Sequence, residues 1–380
     1  MFFARGTIPF PADLGDALER ALAARLRGRR PGDALRALWP KLAKERGRAG
    51  EDEKHYSFHR DEAEAYAAYY LPANCLKTAL VLEEAFLLGL DPVPGDARWL
   101  DFGTGPGTAF WGAAWWCAHR GRKLQFTGWD QSPQFLSIAR DLAAGSPFGA
   151  RTEFTQGDDP VTLVRKLRPT HVSFVNSVAE IFSDEERRKT EIGKIARVLA
   201  DLEQKDGHRR YLLLIEPGSR DSSRELAALK DVLRGEMRTL LPCLDDRACG
   251  ALADPRDWCH EEVACDFPEW LNAIGAEAGL RKESLLFSYA FSRPGQSAEA
   301  PLADCARMVS QRMERKGQVE CRLCTPRGKR AARVQRSKAT PENAFVLEAA
   351  RGDLWRNAEI GEKGDVERAE KLEGREGSIF

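Results

Sequence analysis

The sequence predicts an α/β chain: a doubly wound, Rossmann-like parallel sheet, with an N-terminal helical region before it and a small β-rich module after it. Three observations carry this reading. Residues 12–90 are dominated by Ala and Leu, with apolar positions at helical spacing and few β-branched residues. From residue 93 onward, short apolar runs alternate with helical stretches, as strands joined by helical crossovers do. After residue 299 the chain turns to short strand-like segments around a turn at Pro326–Gly328. The expected division is 1–92 helical, 93–298 sheet domain with a Cys-rich insertion at 242–265, 299–358 basic β-rich module, and 359–380 a disordered charged tail.

Taken in order, DLGDALERALAARL, GDALRALWPKLAKER and EAEAYAAYYLPANCLKTALVLEEAFLLGL read as helices. DPVPGDARWLDFGTGPG is a proline-rich turn, a strand ending at Asp101 and a glycine loop, with a helix from about Thr108 to Arg120. KLQFTGWD, THVSFVNSV and YLLLIEPGS read as further strands. Helices are expected over SPQFLSIARDLAAG, EERRKTEIGKIARVLADL and SSRELAALKDVLRGEM. EWLNAIGAEAGL and ESLLFSYAFS add one more helix and strand, and no internal repeat is present. The tryptophans of FWGAAWWC are expected to fill the space between helix and sheet.

Lys+Arg and Asp+Glu both number 58, so net charge says nothing about partners and only its distribution can. Ten Lys/Arg lie between Arg20 and Arg48 against Asp33 and Glu45, and eleven between Arg307 and Lys338 against Glu314 and Glu320. Both segments suit an anionic partner. Asp13, Asp16 and Glu19 interrupt the N-terminal stretch before any long apolar run, unlike a secretory signal or an acid-poor transit peptide. No uncharged stretch approaches membrane-spanning length. The expectation is a cytoplasmic monomer with no membrane association. Nine cysteines in a reducing compartment point to metal binding or catalysis rather than disulfides.

WLDFGTGPG places Gly103, Gly105 and Gly107 between a strand and a helix, where backbone can approach a ligand closely. The spacing is Gly-x-Gly-x-Gly with Asp101 two residues ahead, not the Gly-x-Gly-x-x-Gly of a dinucleotide loop. It resembles motif I of class I S-adenosylmethionine-dependent methyltransferases, where the loop packs on the methionine moiety. That resemblance implies a carboxylate at the next strand end for the ribose hydroxyls, matched by Asp130, and a polar group near the adenine, matched by Asp158. Asn176 and Ser177 fall at the carboxyl edge of the following strand, where ligands lie in such sheets.

PCLDDRACGALADPRDWCH, residues 242–260, holds Cys243, Cys249 and Cys259 on irregular polar sequence. Buried structural thiols fit poorly with the local Asp, Arg and Pro content. A nucleophile is a second reading, because Pro242–Cys243 resembles the Pro-Cys of cytosine-5 methyltransferases. It leaves two cysteines unexplained, and the segment around Asn176 has no Pro-Cys. Metal ligation is the third reading, and the spacing alone leaves zinc and iron–sulfur open. LDFGTGPGTAFW, LLIEPGS, PCLDDRAC…WCH, FSYAFSR and CRLCTPRGK, in this order, are similar to the methyltransferase-like proteins of small-ribosomal-subunit assembly found in mitochondria and bacteria. The resemblance spans roughly residues 60–358. It implies a [4Fe–4S] cluster on Cys243, Cys249, Cys259 and Cys324, with zinc as the alternative. The sequence departs from that family's pattern at Leu244–Asp245 and Gly250. Cys265 and Cys321 are spare thiols near the expected ligands; Cys75, Cys117 and Cys305 read as ordinary core or surface thiols. His55 and His59 share a helical face without a third ligand, and His260 is expected to pack beside the cluster.

The resulting expectation is a protein that binds S-adenosylmethionine and an iron–sulfur cluster and acts on the small ribosomal subunit or its rRNA. Asn176 and Glu216 are the candidate catalytic residues, being the polar groups nearest the expected methyl position. Asp/Asn-Pro-Pro-Tyr is absent, so a non-catalytic assembly factor with a retained cofactor site stands beside the enzyme reading. A zinc-containing small-molecule methyltransferase is the third.

Overall fold

The computed structural model describes residues 1, 6–38, 59–182, 184–295 and 302–380. His55 and the end of the first basic segment, residues 39–48, lie outside the described residues. A nine-stranded sheet forms the centre, built from β1 (Ile8–Pro9), β2 (Ala97–Phe102), β3 (Leu124–Trp129), β4 (Arg151–Thr155), β5 (His171–Val175), β6 (Tyr211–Pro217), β7 (Met237–Leu241), β8 (Glu261–Asp266) and β9 (Ser284–Pro294). The order is β1-β8-β9-β6-β5-β2-β3-β4, with β7 also on β9. The pairs from β4 through β6 are parallel, and β9 runs antiparallel to β6, β7 and β8. This is the doubly wound α/β sheet the sequence predicted, with its order reversing beside β2.

Apolar runs decide the middle strands: β5 is buried at all five positions and β6 at six of seven. Such strands need cover on both faces. The helix Arg60–Leu87 supplies part of it and is buried along most of its length, consistent with its all-round Ala/Leu sequence. It crosses the helix Thr108–His119 so closely that a Cβ at Gly112 would stand 2.0 Å from the Cys75 carbonyl oxygen. Trp111, Trp115 and Trp116 of the second helix are fully buried, as expected for fillers between helix and sheet.

Three sequence expectations are corrected here. The helix after β6 stops at Leu233, and Met237–Leu241 is a strand, because its alternating burial suits the free edge of β9. The insertion is confined to 242–260, since Glu261–Asp266 forms β8. Strands β7 and β8 follow the same edge of β9, opposite Phe291–Pro294 and Ser284–Phe287 respectively. The cysteine loop therefore interrupts what is in effect one strand. The segment 359–380 is not a disordered tail: β15 (Val366–Lys371) pairs with β14 (Leu354–Ile360). Beyond it, Arg375 N–H donates to the Leu87 carbonyl at 2.8 Å and Ile379 N–H to Glu83 Oε1 at 3.0 Å.

With β10 (Ala306–Met308), β11 (Met313–Arg315), β12 (Gln318–Thr325) and β13 (Gly328–Gln335), those two strands make a second, antiparallel sheet. Its own core includes Met308, Cys321, Leu323, Val334 and Trp355.

Candidate cofactor and cysteine sites

The glycine loop leaves β2 at the carboxyl edge of the sheet. Gly103 has φ 66°, and a Cβ there would stand 2.4 Å from Ser177 Cβ, so only glycine fits. Gly105 has φ 53° and open space where a Cβ would be, leaving the backbone approachable from outside. Asp130 spans the gap to the next strand: Oδ2 accepts the Gly105 N–H and Oδ1 the Ser132 N–H, both at 2.8 Å. Desolvation raises its pKa, while those N–H groups pull it back. Asp101 is buried under the loop and accepts from the Ser173 hydroxyl. Burial pushes it up to about 7 against the hydrogen bond from Ser173, and the nearby Asp130 charge adds to the rise.

The other expected residues are more spread out. Gly107 (φ 94°) ends the loop at the start of the helix Thr108–His119. Asp158 is exposed beyond β4, with Lys166 Nζ 3.4 Å away, and its neighbour Asp159 caps the helix Pro160–Leu167. Asn176 ends β5 in the left-handed region at φ 56°, and its buried Oδ1 has no hydrogen-bond partner among the described residues. Ser177 donates to the Phe102 carbonyl at 2.6 Å, tying this turn to the glycine loop. Glu216 accepts the Val178 N–H at 3.1 Å, and burial pushes it up to about 7.

Cys243, Cys249, Cys259 and Cys324 line one cavity of about 480 Å³, together with His260, Ser288, Tyr289 and Arg307. It opens where β7 and β8 part. The spare thiols are sorted differently from expectation. Cys265 is buried in β8 and Cys321 in the core of the second sheet, whereas Cys305, read as an ordinary thiol, lines the cavity. Among the described residues, no three His, Cys, Asp or Glu side chains group closely enough to hold a single metal ion. Desolvation raises Cys243 and Cys259, and the other cysteines raise Cys259 further. Cys324 is pushed up to about 12 by desolvation, then by Cys243.

Sequence reading missed what positions this loop. The helix Arg220–Leu233 holds it through its polar stripe. Arg224 Nη1 donates to the carbonyls of Ala251, Asp254 and Asp257 at 3.1, 2.8 and 2.7 Å, and Arg220 Nη2 to that of Pro255 at 2.7 Å. Asp231 accepts the Cys249 N–H at 2.8 Å. Lys230 Nζ donates to Cys243 Sγ at 3.4 Å. The recurrence of Arg220, Arg224 and Asp231 at helical spacing was the available signal, but such a stripe reads equally well as a solvated face. The loop also meets the second sheet: Gly250 abuts the Lys329 backbone, and Lys329 Nζ lies 2.5 Å from Asp257 Oδ2.

A profile of the family described as "Mitochondrial small ribosomal subunit Rsm22" matches residues 60–368. The chain belongs to the Rsm22 family. No curated protein matches it. Among solved structures, this Rsm22-family chain is similar to the magnesium protoporphyrin IX methyltransferase of Synechocystis PCC 6803 with bound SAM, at 13% identity and TM-score 0.34, covering 70% of this chain and 97% of that one. It is also similar to the plantazolicin methyltransferase BamL, at 10% identity and TM-score 0.36, over 74% and 99%. Likeness at this level carries no argument about substrate. Among the described residues of the Rsm22-family chain, no helix is long and apolar enough to cross a membrane.

The second basic segment is less available than its composition implied. Arg307 is buried against Glu84 at 2.8 Å. Lys329, Arg333 and Arg336 pair with Asp257, Asp365 and Glu314. Arg315, Lys316, Arg327 and Lys338 remain exposed.

Proposed function

We propose that this chain binds S-adenosylmethionine at the glycine loop, holds a [4Fe–4S] cluster in the cysteine cavity, and acts on the small ribosomal subunit or its rRNA. The observation that carries the first part is the Asp130 clamp on a glycine loop whose outer side is open. Bound there, S-adenosylmethionine would supply an already activated methyl group, so the protein's task is alignment. Gly105 would let the ligand approach the backbone, while Gly103 lets the loop pack against Ser177. Asp130 keeps spare lone pairs for ribose hydroxyls. Asp158, more distant and exposed, is retained only as an adenine-side contact. Asn176, with an unpartnered buried oxygen on strained backbone, is the acceptor-side candidate. Glu216 is better read as a positioning residue, because it fixes the Val178 turn beside Asn176.

The cysteine cavity fits a cluster by its donor set, since four soft sulfurs around one space suit iron–sulfur or zinc. Arg315, Lys316, Arg327 and Lys338 would meet RNA phosphates. The second reading is a non-catalytic assembly factor with a retained cofactor site, since the chain has no Asp/Asn-Pro-Pro-Tyr.

Titration calorimetry with S-adenosylmethionine on wild type and Asp130→Ala tests the reading. Binding by wild type and at least tenfold loss in the variant are expected. Equal affinities would remove Asp130 from the site, and no binding by either would overturn the cofactor assignment.

A further inference from the structure

Lys230 is a buried cation that lines the cysteine cavity. It is 7% exposed, on the cavity side of the helix Arg220–Leu233. Its Nζ lies 3.4 Å from Cys243 Sγ and 3.2 Å from Asp231 Oδ1. The same Asp231 carboxylate takes the Cys249 N–H with both oxygens, at 2.8 and 3.1 Å, so its negative charge is shared. Burying an ammonium is costly unless anions surround it, and a neutral thiol is a poor acceptor for one. A metal-bound Cys243 thiolate is a good one. Arg247, Arg307 and Lys329 also line the cavity but pair with Asp245 at 3.0 Å, Glu84 at 2.8 Å and Asp257 at 2.5 Å, and Arg327 is exposed.

We propose that Lys230 is a positioning residue for a cluster held at Cys243, Cys249, Cys259 and Cys324. It donates to the Cys243 sulfur and offsets the negative charge that four thiolates bring. This rests on the iron–sulfur reading given above. Hydrogen bonds to ligand sulfurs and local charge set both the potential of such a cluster and its retention. The one-electron reduction is favoured by a fixed cation beside the ligand, because the added electron makes the cluster more negative. Through Asp231 the same helix holds the Cys249 backbone, so two of the four ligands are fixed from adjacent positions, Lys230 and Asp231.

The test uses the full chain, purified anaerobically, as wild type, Lys230→Met and Lys230→Arg. Iron and sulfide are measured, then the midpoint potential by titration with dithionite and mediators, then the rate of iron release to a ferrous chelator. Lys230→Met should have a more negative potential and several-fold faster release, and Lys230→Arg should restore both toward wild type. A Lys230→Met protein that melts like wild type but arrives without iron, while Lys230→Arg keeps it, also supports the proposal. Iron-loaded Lys230→Met with wild-type potential and release overturns it while leaving the cluster reading intact. Wild type that contains no iron overturns both.

Discussion

The glycine-loop site draws Asp101, Gly103, Gly105 and Asp130 from two neighbouring parallel strands and their loops, whereas the cysteine cavity gathers a helix, the interrupted strand beside β9, β9 itself and strands of the second sheet, from Lys230 to Lys329. The first is a product of local chain geometry. A strand, a tight glycine turn and a helix start fix their own relative positions, and the adjacent strand brings the clamping carboxylate. The second exists only once two sheets have formed and met, so its parts depend on long-range packing. The two sites should therefore respond differently to substitution.

The largest effect is expected at Gly103. Gly103→Val places a branched side chain at positive φ against Ser177, and should abolish S-adenosylmethionine binding and cost about 2–4 kcal/mol of stability. Calorimetry and a denaturant melt check this, and metal content should stay at the wild-type level. Loss of metal together with cofactor binding would break the separation of the two sites.

Next comes Arg224→Ala, which removes the donor shared by three loop carbonyls and should cost about 1–3 kcal/mol locally. Limited proteolysis of metal-free protein should show new cuts within 249–257, absent from metal-free wild type. The helix Arg220–Leu233 already supplies hydrogen bonds that the sequence of the loop itself does not reveal.

Legibility follows the same division. Asp101, Gly103, Gly105 and Asp130 could be located because each lies at a strand end that its own sequence marks. The four cysteines could be grouped only through a family resemblance, since nothing in their spacing specifies a shared cavity. Arg220, Arg224, Lys230 and Asp231 were hidden in an ordinary amphipathic helix. EEVACD has little intrinsic strand character, yet it forms β8 because β9 and β1 flank it on both sides. VERAEK reads as a solvated run, but Val366 and Ala369 are buried against the second sheet's core. Arg307 looked like part of a phosphate-binding flank and is instead folded inward onto Glu84. In each of these cases tertiary context overrode composition.

A smaller effect concerns protons. Asp101 is held near 7 by burial, so in the free protein it takes up a proton as pH falls below that value. If the cationic cofactor prefers the carboxylate form, binding releases that proton, and affinity should rise as pH rises through about 7 and then level off. Between pH 8 and pH 6 the loss should be about tenfold. Asp101→Asn should flatten the profile, and an unchanged slope in that variant would assign the proton elsewhere.

The central claim is that the cysteine cavity holds an iron–sulfur cluster that joins the second sheet to the first. It is tested most directly by anaerobic purification of wild type and Cys324→Ser, with an absorption spectrum, iron, sulfide and zinc analysis, and limited proteolysis of each. The account predicts brown wild type with roughly four irons per chain, and a colourless variant with new cuts between about 302 and 325. Colourless wild type carrying one zinc, or metal-free wild type with the same digestion pattern as the variant, would contradict it.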